Sequence, residues 1–255
     1  MNMLLSGTRA TGVGALLCVA LLAVAAKPAF AQDASTRHPV GGESVGASTG
    51  AASRDFAGAL VDSFRLVMLE HMMRVAFQDK TRAELGGPFW RDYRQSIVYP
   101  RTWGDTDSWI VNYVGHPIHG AGAGIVWLDH SDKDRAASIF GPGYLASRAR
   151  AAAFSAIYSV QFEIGPLSEA SIGNVGLEPE TAGWVDYVVT PLGAFALMIG
   201  EDAIDRYFVR WVEARVKNRI VRATLRLVLG PSRFLANSAG SRLPWYRPDR
   251  TLAWR

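Results

Sequence analysis

Two histidines stand three residues apart in the apolar segment "VNYVGHPIHGAGAG", Val111 to Gly124. Imidazole changes charge near neutral pH and is a common metal ligand, so His116 and His119 are candidates for proton transfer or metal binding. The carboxylates that could join them lie further along. Ser155, Ser159 and Glu163 recur every four residues, so Glu163 closes a polar stripe on one helix face. Asp186 opens a third apolar segment, while Glu201 and Asp205 stand four apart, a spacing that lets two carboxylates address one point. We expect His116, Glu163, Asp186 and Glu201 to meet in one pocket between helices as the catalytic group. Asn112, His119, Glu169 and Asp205 are expected to provide binding contacts. Such a set could hold a divalent cation, as helical-bundle carboxylate sites do, or let a carboxylate orient His116 as a general base. No tight E-x-x-H spacing is present.

These residues need helices to place them. In Asp55–Gln78, Leu60, Phe64, Val67, Met68, His71 and Val75 recur at helical spacing, with Asp62, Arg65, Glu70 and Arg74 mostly off that stripe. His71 reads as a satisfied core histidine. Lys80–Asp107, with Trp90, Tyr93, Tyr99 and Trp103, reads as a long loop. Three apolar segments follow, at about 109–128, 144–165 and 184–200, then an amphipathic stretch that ends at Gly230-Pro231. No segment alternates at period two for long, so the expected class is all-α: a compact helical bundle with kinked or broken helices.

Thr190-Pro191 is a helix-start signal, since Thr caps and Pro suits the first helical position. At His116-Pro117 two readings stay open: a helix starts at Pro117, or one beginning near Asp107 is kinked there. Gly120 and Gly124, flanked by Ala121 and Ala123, make a small-residue row against which another helix can pack closely.

Several motifs are absent or incomplete. The chain has no P-loop, no H-E-x-x-H and no dinucleotide fingerprint after a strand. "GASTG" lacks the flanking strand and helix that a nucleophilic Ser48 requires. "DHSDKD", Asp129–Asp134, is a polar loop with a weaker calcium alternative, lacking the glycine and terminal Glu of an EF-hand. Asp202 and Arg206 read as a plain surface pair.

The first residues point to export. Arg9 precedes an apolar run from Val13 to Ala26, and Ala29-Phe30-Ala31 is a small-x-small cleavage site. The expected organisation is a signal peptide at 1–31, a flexible linker at 32–54, a helical bundle at 55–230 and a basic-aromatic tail at 231–255. Cys18 is the one cysteine and would leave with the signal. The mature chain then has neither a disulfide nor a thiolate ligand. Cleavage removes two cations, Arg9 and Lys27, and no acid, so the formal charge of +4 becomes +2. A chain this balanced has no electrostatic case for nucleic-acid binding.

A membrane surface is the expected partner. The tail carries Arg233, Arg242, Arg247, Arg250 and Arg255 among Phe234, Trp245, Tyr246 and Trp254, a mixture suited to an anionic lipid interface. A tail packed across the bundle is the competing reading. The apolar segments approach the roughly 20 residues of a spanning helix but are interrupted by polar groups. Association of a mostly soluble bundle is therefore expected ahead of insertion.

"NYVGHPIHG", then a helix ending in "FE", then "DYVVTPLGAFALMIGE" resembles the N-x-x-x-H-P-x-x-G … E … D-x-x-x-T-P-x-G-x-x-x-x-G-E order of an uncharacterised bacterial envelope family, domain of unknown function thirty-nine forty-three. The resemblance covers roughly 107–205 and implies an envelope location with a shared polar site. This chain departs from it by inserting "PLSEASIGNVGLEPETAGW" before Asp186, which leaves Glu169 as the candidate for a further family acid. A coarser similarity of order, His then Glu then Asp, is to VanZ-like membrane proteins. Two functions are compatible with these readings. One is a periplasmic or envelope protein whose His/Glu/Asp site acts on or binds a lipid or lipid-linked substrate. The other is a structural or binding component whose polar cluster is a hydrogen-bond network.

Overall fold

Helix α1, Phe56–Phe77, starts where Asp55 accepts a hydrogen bond from the Gly58 amide at 2.8 Å. That bond holds the Asp55 carboxyl below the usual aspartate value of 3.8. The computed structural model describes residues 54–85, 89–96, 102–105, 107–169, 171 and 183–252. The expected signal peptide, nearly all of the expected linker, Ser48 and Cys18 lie outside the described residues. Among the described residues all regular structure is helical, and β-pairing is limited to two isolated bridges, Arg54 with Ser131 and Thr102 with Gly183.

The buried face of α1 is not the stripe expected from its apolar spacing. Leu60 and Phe64 are 65% and 54% exposed, whereas Asp62, Ser63, Glu70, His71 and Arg74 are buried. The helix is rotated so that most of its polar residues find partners inside, beside Ala59, Leu66 and Val67, while many of its large apolar ones face out. Val67 and His71 alone of the expected stripe are buried. The expected loop after α1 instead holds two short helices, α2 (Asp79–Glu84) and α3 (Phe89–Ser96).

The central helix is approached through a π-helical turn, Val111–Gly115, where the His116 amide bonds to the Val111 carbonyl. Helix α4, His116–Asp129, follows without a break. Of the two readings of His116-Pro117, a helix that starts near Asp107 and is disturbed at the proline comes closer: a helical path already present at Trp109 runs through, and its register widens just ahead of the proline. Pro117 has no N–H for the carbonyl four residues back, and the wider turn absorbs that loss. Almost every residue of α4 is buried.

Helices α6 (Tyr144–Ile164) and α7 (Trp184–Ile204) flank α4, and α1 and α10 (Pro231–Ala239) pack on it from other sides. Gly120 faces α7: a β-carbon there would stand 2.6 Å from Thr190 Cγ2 and 2.8 Å from the Thr190 carbonyl oxygen. At Gly124 it would meet Met198 Sδ at 2.9 Å and at Gly122 the Leu235 β-carbon at 3.2 Å. The small residues of α4 thus admit α7 on one side and α10 on another.

Helix α7 does not start at Thr190-Pro191. It begins at Trp184, where the Trp184 and Val185 amides donate to the carbonyls of Thr102 and Trp103 at 3.0 and 2.9 Å. Those bonds satisfy the helix end that a side-chain cap would otherwise serve, and Pro191 lies inside the helix. Beyond α7 the amphipathic stretch is interrupted by a second π-helical turn, Asp205–Val209, then α8 (Arg210–Glu213) and α9 (Arg219–Val228). The helical run Trp184–Glu213 is the one among the described residues long and apolar enough, by composition, to cross a membrane.

"DHSDKD" is occupied by α5 (Asp132–Arg135), capped by Ser131. Asp129 accepts from Arg233 at 2.8 Å and from Arg242, while Asp134 accepts from Arg54 at 2.8 Å and from Arg150. Carboxylates already matched by arginines make a poor calcium site, and that alternative is dropped. Asp202 is not a surface partner of Arg206: Arg148 holds it through two nitrogens at 2.9 and 2.7 Å, and the Tyr144 hydroxyl donates to it.

The tail packs across the bundle. Leu235, Ala236 and Ala239 of α10 join the core, and Arg226, fully buried, donates to both Glu213 oxygens at 2.5 and 3.1 Å. Arg250 bridges Glu213 and Asp205, with Arg247 at 3.4 Å from Asp205. Burial and the nearby Arg233 charge push the Arg247 guanidinium down to about 10. For Arg250, burial acts the same way, but Asp205 and Glu213 outweigh it and raise the group. Trp254 and Arg255 lie outside the described residues.

Candidate functional site

His116 comes first on α4, with its ring fixed from α7. Thr190 Oγ1 stands 3.3 Å from Nδ1, and Asp186 Oδ1 stands 3.3 Å from Nε2. Asp186 and Thr190 are four residues apart on α7, so one helix face presents both to the same ring. Thr190 is thus a ring partner where a helix cap was expected.

Glu163 arrives from α6 by the stripe that the sequence predicts. Ser155 Oγ donates to the Gly120 carbonyl at 2.5 Å, Ser159 Oγ donates to the Asp186 carbonyl at 3.2 Å, and Glu163 comes next. Two hydroxyls therefore tie α6 to α4 and α7 before the carboxylate is reached. His116, Glu163 and Asp186 each offer one ligand atom within 4.8 Å of the other two, and all three residues are buried. Glu163 is only 2% exposed, and its Oε1 makes no hydrogen bond among the described residues.

A second layer surrounds this group. The segment after α6 folds back, with Leu167 in the left-handed region (φ 58°), and its carbonyl lies 2.7 Å from His71 Nε2. The Glu169 amide bonds to the Phe162 carbonyl at 2.8 Å, and its carboxylate pairs with Arg74. The charges of Glu169, Asp186 and Asp107 act on Glu163, with Arg74 opposing them. His119, one turn after His116, places Nδ1 2.9 Å from Glu70 Oε2, which also accepts from the Tyr158 hydroxyl at 2.8 Å. The other ring nitrogen, Nε2, is buried and makes no hydrogen bond among the described residues.

Of the four residues expected to converge, the structure unites three. Glu201 is fifteen residues after Asp186 on the same helix, a rise of about 22 Å. It accepts from the Ser232 amide at 3.0 Å and lines a separate cavity of about 250 Å³ with Arg148, Asp202, Asp205, Arg233 and Arg247. Asp205, the expected partner of Glu201, is held by arginines in that region. Asn112 donates to Asp105 at 2.6 Å and does not join the cluster. His119 and Glu169 lie in its second layer.

Sequence reading missed Glu70, Arg74, Tyr158 and Thr190. For the two α1 residues a signal existed: four charged groups on a mostly apolar helix need partners wherever the helix is packed. Comparison with protein-family models, with curated proteins and with solved structures gives no match.

Proposed function

We propose that this protein is a membrane-embedded helical bundle whose buried His116/Glu163/Asp186 site binds or acts on a lipid or lipid-linked envelope substrate. The observation that carries the reading is the inverted arrangement of polarity. Outward faces of the long helices are apolar: Leu60 and Phe64 on α1, Ile157 (69% exposed) on α6, Leu192 (66% exposed) on α7. The polar groups of the same helices, Glu70, Arg74, Ser155, Ser159, Glu163, Asp186 and Thr190, are buried. In water the opposite arrangement is favoured by the hydrophobic effect. In lipid, ionisable groups face the bundle interior and pair with one another.

Length agrees with this. Helices α1, α6 and α7 have 22, 21 and 21 residues, which at about 1.5 Å per residue matches a hydrocarbon core of about 30 Å. The charges on α1 and α6 would disqualify them by composition, but Asp62, Glu70, Arg74, Arg148 and Glu163 are buried; Arg65 on α1 is 51% exposed and pairs with Asp62. Aromatic residues are exposed where the helices end: Trp109, Tyr113 and Trp184 at one end of α4 and α7, Tyr207, Phe208 and Trp211 beyond the other end of α7. Such rings suit the headgroup level of a bilayer. The resemblance to an envelope family points the same way, with the basic-aromatic tail supporting the bundle from within and not serving as its anchor.

The test is fractionation of cells expressing the full chain, followed by extraction at alkaline pH. The protein should stay with the membrane pellet, and native mass spectrometry from mild detergent should show a retained lipid that Glu163→Gln weakens. Release into the soluble fraction as a monodisperse oligomer would sink the reading, since copies of the chain would then be covering the apolar faces.

A further inference from the structure

We propose that His116, Glu163 and Asp186 hold one divalent first-row transition cation of the zinc or manganese class, with coordination positions left open. The donor set is one imidazole nitrogen and two carboxylate oxygens from three helices, with ligand atoms mutually within 4.8 Å. Ligands about 2.0–2.1 Å from a tetrahedral centre lie about 3.3 Å apart, and His116 Nε2 and Asp186 Oδ1 are 3.3 Å apart. Glu163 supplies the independent observation: a carboxylate 98% removed from solvent, beside two further acids, with Oε1 unpartnered among the described residues. A buried charge without compensation is strongly disfavoured. A divalent cation would provide that compensation for Glu163.

The surroundings fit a ligand set. The far side of the His116 ring, Nδ1, is held by Thr190 Oγ1, as a ligating imidazole is normally oriented through its other nitrogen. One nitrogen with two oxygens suits borderline cations, whereas calcium takes about six to eight oxygens. Three protein ligands leave room for water or substrate oxygen, as catalytic sites do. His119 lies close by, its ring centroid 5.9 Å from that of His116, its Nδ1 bonded to Glu70 and its buried Nε2 making no hydrogen bond among the described residues.

This assignment rests on reading the pocket as a functional site, not on residence in a membrane, so a detergent-purified chain tests it separately from fractionation. Chelator-stripped full-length protein is titrated with Co²⁺, a spectroscopic substitute for zinc, and then with Zn²⁺. One equivalent of Co²⁺ should produce visible absorption, Zn²⁺ should abolish it, and the melting temperature should rise with either ion. Glu163→Gln and Asp186→Asn keep side-chain shape. Since outer-shell changes alone cost about 10–100-fold in affinity, each should cost at least about a hundredfold. Glu201→Gln, in the other cavity, should bind like the parent. Absence of Co²⁺ absorption in the parent chain overturns the proposal whatever the variants do. So does tight binding that survives both cluster substitutions, because the ion would then lie elsewhere. If the metal fails while Glu163→Gln still weakens the retained lipid, the functional reading of the pocket survives alone.

Discussion

Gly120 and Thr190 are in backbone contact: a β-carbon on Gly120 would stand 2.8 Å from the Thr190 carbonyl oxygen and closer still to its methyl. Thr190 also contacts His116, so the packing of α4 on α7 and the orientation of the ring are one arrangement. Replacing Gly120 by Leu should destabilise the protein by about 1–3 kcal/mol through overpacking and separate Thr190 from the imidazole. Gly200, on the same helix as Thr190, has open space around it. Gly200→Ala should stabilise by about 0.5–1 kcal/mol by removing backbone freedom from a helix interior. Denaturant melts of the two variants in one detergent check both, and a neutral Gly120→Leu would contradict the packing described.

Arg226 and Glu213 form a buried pair, with side chains 0% and 3% exposed. Truncation of one partner strands the other, so Arg226→Met should cost about 3–5 kcal/mol. Adding Glu213→Leu should recover much of that loss, because the uncompensated charge disappears. A double-mutant cycle by urea unfolding gives the coupling. Strict additivity would show that Arg222 and Arg250 already satisfy Glu213.

Outward-facing Leu192 on α7 should tolerate Phe or Ile and reject Lys. A lysine near a bilayer centre costs about 2.5–3.5 kcal/mol. Leu192→Lys should therefore lower the carbonate-resistant fraction. An unaltered fraction for Leu192→Lys would place that face outside the lipid.

Deleting 231–255 should abolish cooperative unfolding and not merely release the protein from vesicles, because α10 supplies Leu235, Ala236 and Ala239 to the core. Arg233, Arg242, Arg247 and Arg250 are matched by Asp129, Asp205 and Glu213, so vesicle association of the intact chain should depend only weakly on salt. Sharp release between low and moderate salt would favour electrostatic attachment through the tail.

Asp55 offers a pH test. Its carboxyl is held below 3.8 by the Gly58 amide, so the cap contributes stability above the ordinary aspartate value and loses it as pH falls through the lowered one. Asp55→Asn should be less stable than the parent at neutral pH, and the gap should close in acid. A constant gap would mean that the charge contributes nothing to the cap.

The all-α class was legible because helical periodicity is a local property of the chain. The Ser155–Ser159–Glu163 stripe and the Gly120/Gly124 row were legible for the same reason: residues four apart share a helix face in any environment. His116, Glu163 and Asp186 could be named as candidates from residue type and position within apolar segments. Glu201 was misplaced because spacing along a chain says nothing of how far a straight helix carries its end, and α7 runs unbroken through Pro191. Tertiary structure also decided which face of α1 is inside. Periodicity reveals that a helix is two-faced, but which face is buried depends on the partners waiting in the bundle. Here Glu70 meets His119 and Tyr158, and Arg74 meets Glu169. Those contacts join residues dozens of positions apart, and only the packed helices bring them within reach.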